Sequence, residues 1–285
     1  MTALGKWELD AIHHTDALTL MGGLPDGCID LIVTSPPYDN LRTYNGYTFD
    51  FEPIARESYR VLKQGGVLVW VVGDATVNGS ETLTSMRQAL YFVDVVGFRM
   101  HDTMIYEALG TGAKGSIYAY WQAFEYMLVL SKGRAETTNL IADVKNKTID
   151  LRRAGRYRDG GNHEKSHITK EIGTRTNIWR YPVGFADASD KTGHPAPFPE
   201  ALACDHILTW SNPGDLVLDY FMGSGTTAKM ARNNGRRYLG CDISLEYVEL
   251  ARKRLAMPYT PPMFTERQAA EPTIEQPPLF TGETI

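Results

Sequence analysis

Val67-Leu68-Val69-Trp70-Val71-Val72 is apolar at every position, and Ile29-Asp30-Leu31-Ile32-Val33 departs from that rule once. Runs so short and so uniformly apolar read as buried strands, because a strand sends alternate side chains to opposite faces. Similar runs recur in alternation with helix-length stretches, and that alternation predicts an α/β sheet. Strands are expected at 29–33, 67–72, near 99–106, and at 124–130, 216–218 and 238–241. Helices are expected at 51–62, with Ile54, Tyr59 and Leu62 facing the core and 63–66 ending it, and at 81–96, 201–210 and 226–233. A last helix follows Ser244 as N-cap, with Leu245, Val248, Ala251 and Leu255 along one face. Beyond Lys132 the periodicity fades before it returns at 201, and from Met257 onward the Pro-, Thr-, Glu- and Gln-rich composition predicts a disordered tail.

The 285 residues suit one large α/β domain with an insertion, or two modest domains, and a hydrophobic content of 43% is enough for a substantial core. No apolar run approaches the roughly 20 residues needed to span a bilayer, so no membrane association is expected. The first residues lack the basic-then-apolar layout of a signal peptide. Cys28, Cys204 and Cys241 are odd in number and far apart. That argues against a disulfide framework or a metal site and makes a reducing cytoplasm the expected compartment. The net charge of −5 argues against a generally basic surface. From Arg152 to Arg180, however, eight basic residues stand against three acidic ones. Such an excess suits contact with a phosphate backbone, and equally a solvated loop.

Two segments carry chemistry. In Asp215-Leu216-Val217-Leu218-Asp219-Tyr220-Phe221-Met222-Gly223-Ser224-Gly225-Thr226-Thr227 a strand runs into a glycine turn and a helix start. Glycines allow a tight turn and close approach of a ligand, and the helix N-terminus offers unpaired N–H groups. No Gly-Lys-Ser/Thr follows, so this is not a Walker loop. Asp242 ends the next strand and is placed to accept hydrogen bonds from ribose hydroxyls. The pair predicts a nucleoside-containing cofactor, either a dinucleotide or S-adenosylmethionine.

The second segment is Thr34-Ser35-Pro36-Pro37-Tyr38, directly after the strand at 29–33. Two prolines fix the backbone and remove two donors, which leaves carbonyls and the Ser35 hydroxyl as acceptors beside an aromatic face. An exocyclic amino group is a poor nucleophile because its lone pair is delocalised into the ring. Acceptors that hold its protons favour rehybridisation and aim the lone pair at an electrophilic methyl, while Tyr38 can stack on a base rotated out of the duplex. A merely rigid proline turn is the plain alternative.

In these residues the chain resembles the amino-methyltransferases of DNA, whose signature is Ser/Asp/Asn-Pro-Pro-Tyr/Phe with a Phe-x-Gly-x-Gly loop. The catalytic segment comes first, as in the permuted β group. His14-Thr15-Asp16, Leu62 to Val67, Phe124 to Gly133 and His194 to Pro199 resemble further motifs of that group, across about 10–132 and 177–256. The resemblance implies a Rossmann-like, S-adenosylmethionine-dependent methyltransferase fold of class α/β, with circularly permuted motif order and an inserted target-recognition region. Residues 1–132 would form the catalytic half, 133–192 the insert, 193–256 the cofactor-binding half and 257–285 the tail. It implies a catalytic set of Ser35, Pro36, Pro37 and Tyr38, and a cofactor set of Asp16, Thr34, His194, Asp219, Phe221, Gly223, Gly225, Thr226 and Asp242. Arg152, Arg153, Arg156, Arg158 and Lys165 would contact double-stranded DNA. Ser35 resembles the cytosine-N4 branch more than the adenine-N6 branch. Asp242 stands where Glu is usual, and His14 where Gly is commoner. None of the three cysteines adjoins a proline, which argues against a cysteine nucleophile.

Protein-glutamine methylation and a non-catalytic DNA-binding regulator are the competing functions; the permuted order with Ser35 opposes the first, and the intact glycine and acidic positions oppose the second. His163-Glu164-Lys165-Ser166-His167 fits a zinc-hydrolase pattern, but that motif requires a helix with an apolar back. Gln276-Pro277-Pro278-Leu279-Phe280 resembles the short peptides that bind the bacterial sliding clamp, unless Leu279 and Phe280 fold back onto the protein. No nuclease motif is present, so a restriction endonuclease partner would be a separate protein.

Overall fold

The computed structural model describes residues 3–37, 50–109, 120, 122–147, 152–156, 162–168, 170–182 and 199–257, the backbone alone at 152–156 and 162–168. Tyr38, Arg158, His194, Gln276, Leu279 and Phe280 lie outside the described residues. The central sheet has eight strands: β1 (Ala11–His14), β2 (Ile29–Thr34), β3 (Leu62–Val72), β4 (Arg99–Leu109), β5 (Phe124–Ser131), β6 (Ile178–Pro182), β7 (Leu216–Asp219) and β8 (Arg237–Asp242). Their order across the sheet is β6-β4-β5-β3-β2-β7-β8-β1. Only β5 runs against its neighbours; every other pairing is parallel.

The apolar runs explain the layering. In β3, Val67, Val69 and Val71 enter one core while Leu68, Trp70 and Val72 enter the other. Met127 and Val129 of β5 join the first, and Leu128 and Leu130 the second. Helices α4 (Glu200–Trp210), α5 (Thr226–Asn233) and α6 (Leu245–Ala256) cover the first face. Helices α1 (Ala17–Gly22) and α2 (Phe51–Val61) cover the second, with Phe92 from a π-helical turn after α3 (Thr84–Leu90). With both faces covered, the sheet needs apolar side chains on both sides, which is why the sequence shows runs rather than alternation.

Several expectations are corrected. The segment 63–66 does not end α2 as a free turn, because β3 begins at Leu62. Leu62 pairs with Ile29 and Val67 with Leu31, so the intervening residues bulge from the ladder. Gly65 takes φ +81° there, and a Cβ on Gly66 would lie 3.0 Å from the Lys63 carbonyl oxygen. The helix expected at 81–96 starts at Thr84, since Ser80–Glu81 pairs with Thr76–Val77 in a small hairpin, and it passes into the π turn Tyr91–Val96. Leu245 is exposed, so of the four residues expected along one face of α6 only Val248, Ala251 and Leu255 are buried.

The interval 133–192 also needs correction. Its β6 is an edge strand of the central sheet, parallel to β4, with Trp179 and Tyr181 buried. The remainder includes two antiparallel ribbons, Ala142–Lys145 with Ile172–Thr174 and Arg152–Arg156 with Asn162–Ile168. The second ribbon removes the zinc-hydrolase pattern: a strand rises about 3.3 Å per residue, which separates positions four apart by about 13 Å, and His163 and His167 sit in a strand. No helix among the described residues is long and apolar enough to cross a membrane.

Phe92 is fully buried and meets Phe51, Trp70 and Phe98 edge to face, with centroids 5.1, 5.3 and 5.5 Å away. Phe92→Ala should lower unfolding free energy by about 3–5 kcal/mol. In urea denaturation this appears as a lower midpoint at unchanged slope.

Candidate active site

β2 and β7 are adjacent and parallel, but their chains leave in opposite directions: β2 leads through α2 to β3, and β7 through α5 to β8. Because α2 and α5 cover opposite faces, a crevice opens beyond the C-terminal ends of β2 and β7, where ligands bind in open α/β sheets. Both chemical segments meet there. Thr34, the last residue of β2, is buried and donates its hydroxyl to Asp219 Oδ1 at 2.7 Å. The Thr227 hydroxyl reaches the Val33 carbonyl at 3.3 Å and ties α5 to the same strand. Ser35, half-buried, and Pro36, buried, continue from this anchored end.

Asp219 shapes the glycine loop. Its Oδ1 also accepts from the Phe221 amide at 3.0 Å, turning the chain sharply after β7. Gly223 and Gly225 follow with φ of +49° and +84°, a region closed to most side chains. Asp242, at the end of β8, accepts from the Gly223 amide at 2.9 Å and from the Ser244 amide at 2.8 Å. One carboxylate thus holds the loop and starts α6. A Cβ on Gly240 would lie 1.8 Å from Met222 Cε and 2.9 Å from the Asp219 carbonyl, so the loop can lie down on β8 only over a glycine.

Asp16 caps α1 by accepting from the Thr19 amide at 2.8 Å. It follows β1, whose His14 pairs with Asp242, so it sits at the same end of the sheet. Burial alone would raise its carboxyl, but the Thr19 hydrogen bonds hold it below the ordinary value. Asp219 shows the opposite balance: burial pushes it up to about 6 against the lowering effect of the Thr34 and Thr227 hydroxyls and the Phe221 amide. Burial likewise raises Asp242.

The residues fit a cofactor with hydroxyl and ammonium groups. Among the described residues Asp219 Oδ2 is buried without a hydrogen-bond partner, a costly state that a donor on a ligand would relieve. Asp242 is only partly buried and its carboxylate retains lone pairs. The set includes Thr34, Phe221, Gly223, Gly225 and Thr226 around these two carboxylates; Thr226 is buried at the first position of α5. Among the described residues no three His, Cys, Asp or Glu side chains are grouped to hold a metal ion.

On the other side of β2 a cleft opens at the edge of β3 and β5, lined by Gly73, Asp74, Glu81, Tyr120, Gln122, Phe124 and Tyr126. Thr34 is level with Trp70, and Val72 with Tyr126. The Ser-Pro-Pro segment therefore leaves the sheet between the glycine loop and this cleft. Asp74 accepts from the amide and hydroxyl of Ser85 at 2.8 and 2.6 Å, and Gln122 donates to the Asp74 carbonyl at 3.3 Å. The sequence reading missed this wall, whose residues are scattered and polar.

The sequence profile described as DNA methylase matches residues 29–253. The chain belongs to the N6/N4 DNA methylase family. It is 56% identical over 244 residues to the orphan methyltransferase M.BamHII of Bacillus amyloliquefaciens, covering 81% of this chain and 89% of that one. It is 30% identical to the DNA adenine methyltransferase YhdJ of Escherichia coli K12, over 87% of this chain and 83% of the relative. The structure of TTHA0409 from Thermus thermophilus, complexed with S-adenosyl-L-methionine, superposes with a TM-score of 0.59 at 27% identity, covering 86% and 93% of the two chains. The methylase is an S-adenosylmethionine-dependent enzyme acting on DNA, with the Rossmann-like fold that the motifs led one to expect.

In this methylase the basic strip is partly spent internally. Arg175 pairs with Asp143 and, at 2.6 Å, with buried Asp205 of α4, which also accepts from Tyr181. Arg180 pairs with Glu107 at 2.8 Å. These two arginines brace the first ribbon and β6 against the domain.

A pH test follows from Asp219. Its pKa is near 3.8 unfolded and about 6 folded. As pH rises through this window, the unfolded chain ionises first, so folding loses stability until pH exceeds the folded value. Asp219→Asn lacks this term. Melting temperatures of the variant should therefore gain on wild type between about pH 4 and pH 6, and then run parallel.

Proposed function

We propose that this methylase transfers the methyl group to cytosine N4 in duplex DNA, and that Ser35 carries that preference. Ser35 and Pro36 follow directly from the Thr34–Asp219 anchor, which holds the loop's acceptors still while the target amine moves. The Ser35 hydroxyl and Pro36 carbonyl accept the amine protons and turn its lone pair outward. Tyr38 stacks on the extrahelical base, which enters from the side of the cleft. S-adenosylmethionine, when bound, supplies an electrophilic sulfonium methyl; Asp219, Asp242 and the glycine loop hold and orient it. Orientation is then the main lever on rate, and no strong base is required, because a methylated amine readily loses its extra proton to solvent. Adenine N6 is the second reading, favoured by the name of the Escherichia coli relative.

Nucleoside mass spectrometry of duplex DNA treated with purified enzyme and S-adenosylmethionine should show N4-methylcytosine. N6-methyladenine alone would overturn the assignment of the base. Ser35→Ala should lower kcat about 10- to 100-fold, the value of one hydrogen bond made chiefly in the transition state, with little change in cofactor affinity. Asp242→Ala should do the reverse.

The ribbon formed by Arg152–Arg156 and Asn162–Ile168 supports contact with the phosphate backbone, since four basic residues lie in its two strands. Neutralising Arg152, Arg153 and Arg156 together should flatten the log–log dependence of DNA affinity on salt by about 0.9 per lost contact. Filter binding across a salt series measures this, and an unchanged slope would return the ribbon to a solvated role. The sliding-clamp reading of Gln276, Leu279 and Phe280 and the pairing with a separate endonuclease rest on sequence alone.

A further inference from the structure

Arg254 sits near the C-terminal end of α6 in the sequence Ala-Arg-Lys-Arg-Leu, where a solvated charge would be expected. Instead it is 5% exposed and lies beneath the glycine loop. Its Nη1 donates to the Ser224 carbonyl at 2.6 Å, the Ser224 hydroxyl at 2.8 Å and the Thr226 hydroxyl at 3.3 Å. Its Nη2 donates to Glu200 Oε1 at 2.8 Å, and the same oxygen accepts from Lys229 of α5 at 2.5 Å. Ala251, one turn earlier on α6, packs under Gly225, where a Cβ would come within 2.8 Å of the Ala251 Cβ. The helix thus grips the loop at consecutive residues, by close packing under Gly225 and by charge under Ser224 and Thr226.

We propose that Arg254 is a positioning residue for S-adenosylmethionine, fixing the Gly223–Thr226 turn through Ser224 while Glu200 balances its charge. The proposal rests on the glycine loop being the cofactor site. A planar guanidinium can hold the loop oxygens on one edge and the carboxylate on another, which a single ammonium does poorly. Burying this cation is costly, and an apolar side chain of similar size would serve packing as well. What the arginine adds is a fixed direction for the Ser224 carbonyl, and hence for the amides on the loop's opposite side.

The test is calorimetric titration of the full chain with S-adenosylmethionine, paired with kinetics on duplex DNA. Arg254→Met should weaken cofactor binding about tenfold or more, equal to roughly 1.4 kcal/mol, and raise the cofactor KM in parallel. At saturating cofactor its kcat should stay within about threefold of wild type. Arg254→Lys should recover part of the affinity, and Lys253→Met, altering the exposed neighbour, should change nothing. Arg254→Ala leaves a guanidinium-shaped space, so millimolar guanidinium should restore its affinity without affecting wild type. Should neither Met nor Ala at this position fold, Glu200→Gln decides, and it must also raise Kd. Unchanged affinity in the folded variants, or loss of affinity that guanidinium does not rescue, overturns the proposal. A wild-type chain whose affinity is untouched by Asp242→Ala would instead overturn the placement of the cofactor at this loop.

Discussion

The hydrogen bond between Thr34 and Asp219 joins residues 185 apart in sequence inside a dry interior. Water cannot compete there, and the bond offsets part of the cost of burying the Asp219 carboxyl. From this one contact the rest follows. It fixes the end of β2, from which the Ser-Pro-Pro segment departs, and it fixes Asp219, whose second bond to Phe221 sets the direction of the glycine loop. The Ser-Pro-Pro segment and the glycine loop are therefore not two independent loops that happen to face each other. They share a buried pivot, so the distance between them is set by strand spacing and not by loop flexibility.

The two cores were legible in the sequence because both carry continuous apolar runs, and the permuted order of motifs was legible because Ser35 precedes Phe221. Helix α5 and the cap at Ser244 also follow directly from local chemistry, the hydroxyl of Ser244 accepting from the Tyr247 amide. The rest was hidden for physical reasons. Trp179 and Tyr181 alternate with Arg180 as an edge strand should, yet they lie inside a basic stretch that reads as surface. Asp205 and His206 are fully buried in α4. Their distant partners, Arg175 and Tyr181 for one and Met127 for the other, emerge only once the chain is folded. Arg254 belongs to the same class, since no local pattern separates a cation under a loop from one in solvent.

Charge is used in two ways across the molecule. At the crevice, burial raises the pKa of Asp219, one oxygen of which has no partner among the described residues, and of Asp242, while hydrogen bonds from Thr19 lower that of Asp16. At the base of the insert, charges are closed into pairs, as with Arg175 between Asp143 and Asp205. The second pattern holds a half-buried cation between two carboxylates and ties a ribbon to α4. Thus α4 has two sets of partners: Glu200 at its start pairs with Arg254 and Lys229, and Asp205 in its middle pairs with Arg175.

The first strand of the sheet also has a history during synthesis. Among the described residues β1 lies at the outer edge with β8 as its one partner in the sheet, and Arg252 of α6 donates to the Ile12 carbonyl at 2.6 Å. Both partners follow every other strand of the sheet in the chain. While β2 and β3 can pair as they leave the ribosome, residues 11–14 must wait for more than two hundred others before their backbone is satisfied. The edge of β8 that will receive them stays open until they dock. In a permuted methylase of this kind, a strand made before the Ser-Pro-Pro segment is the one that closes the sheet beyond β8.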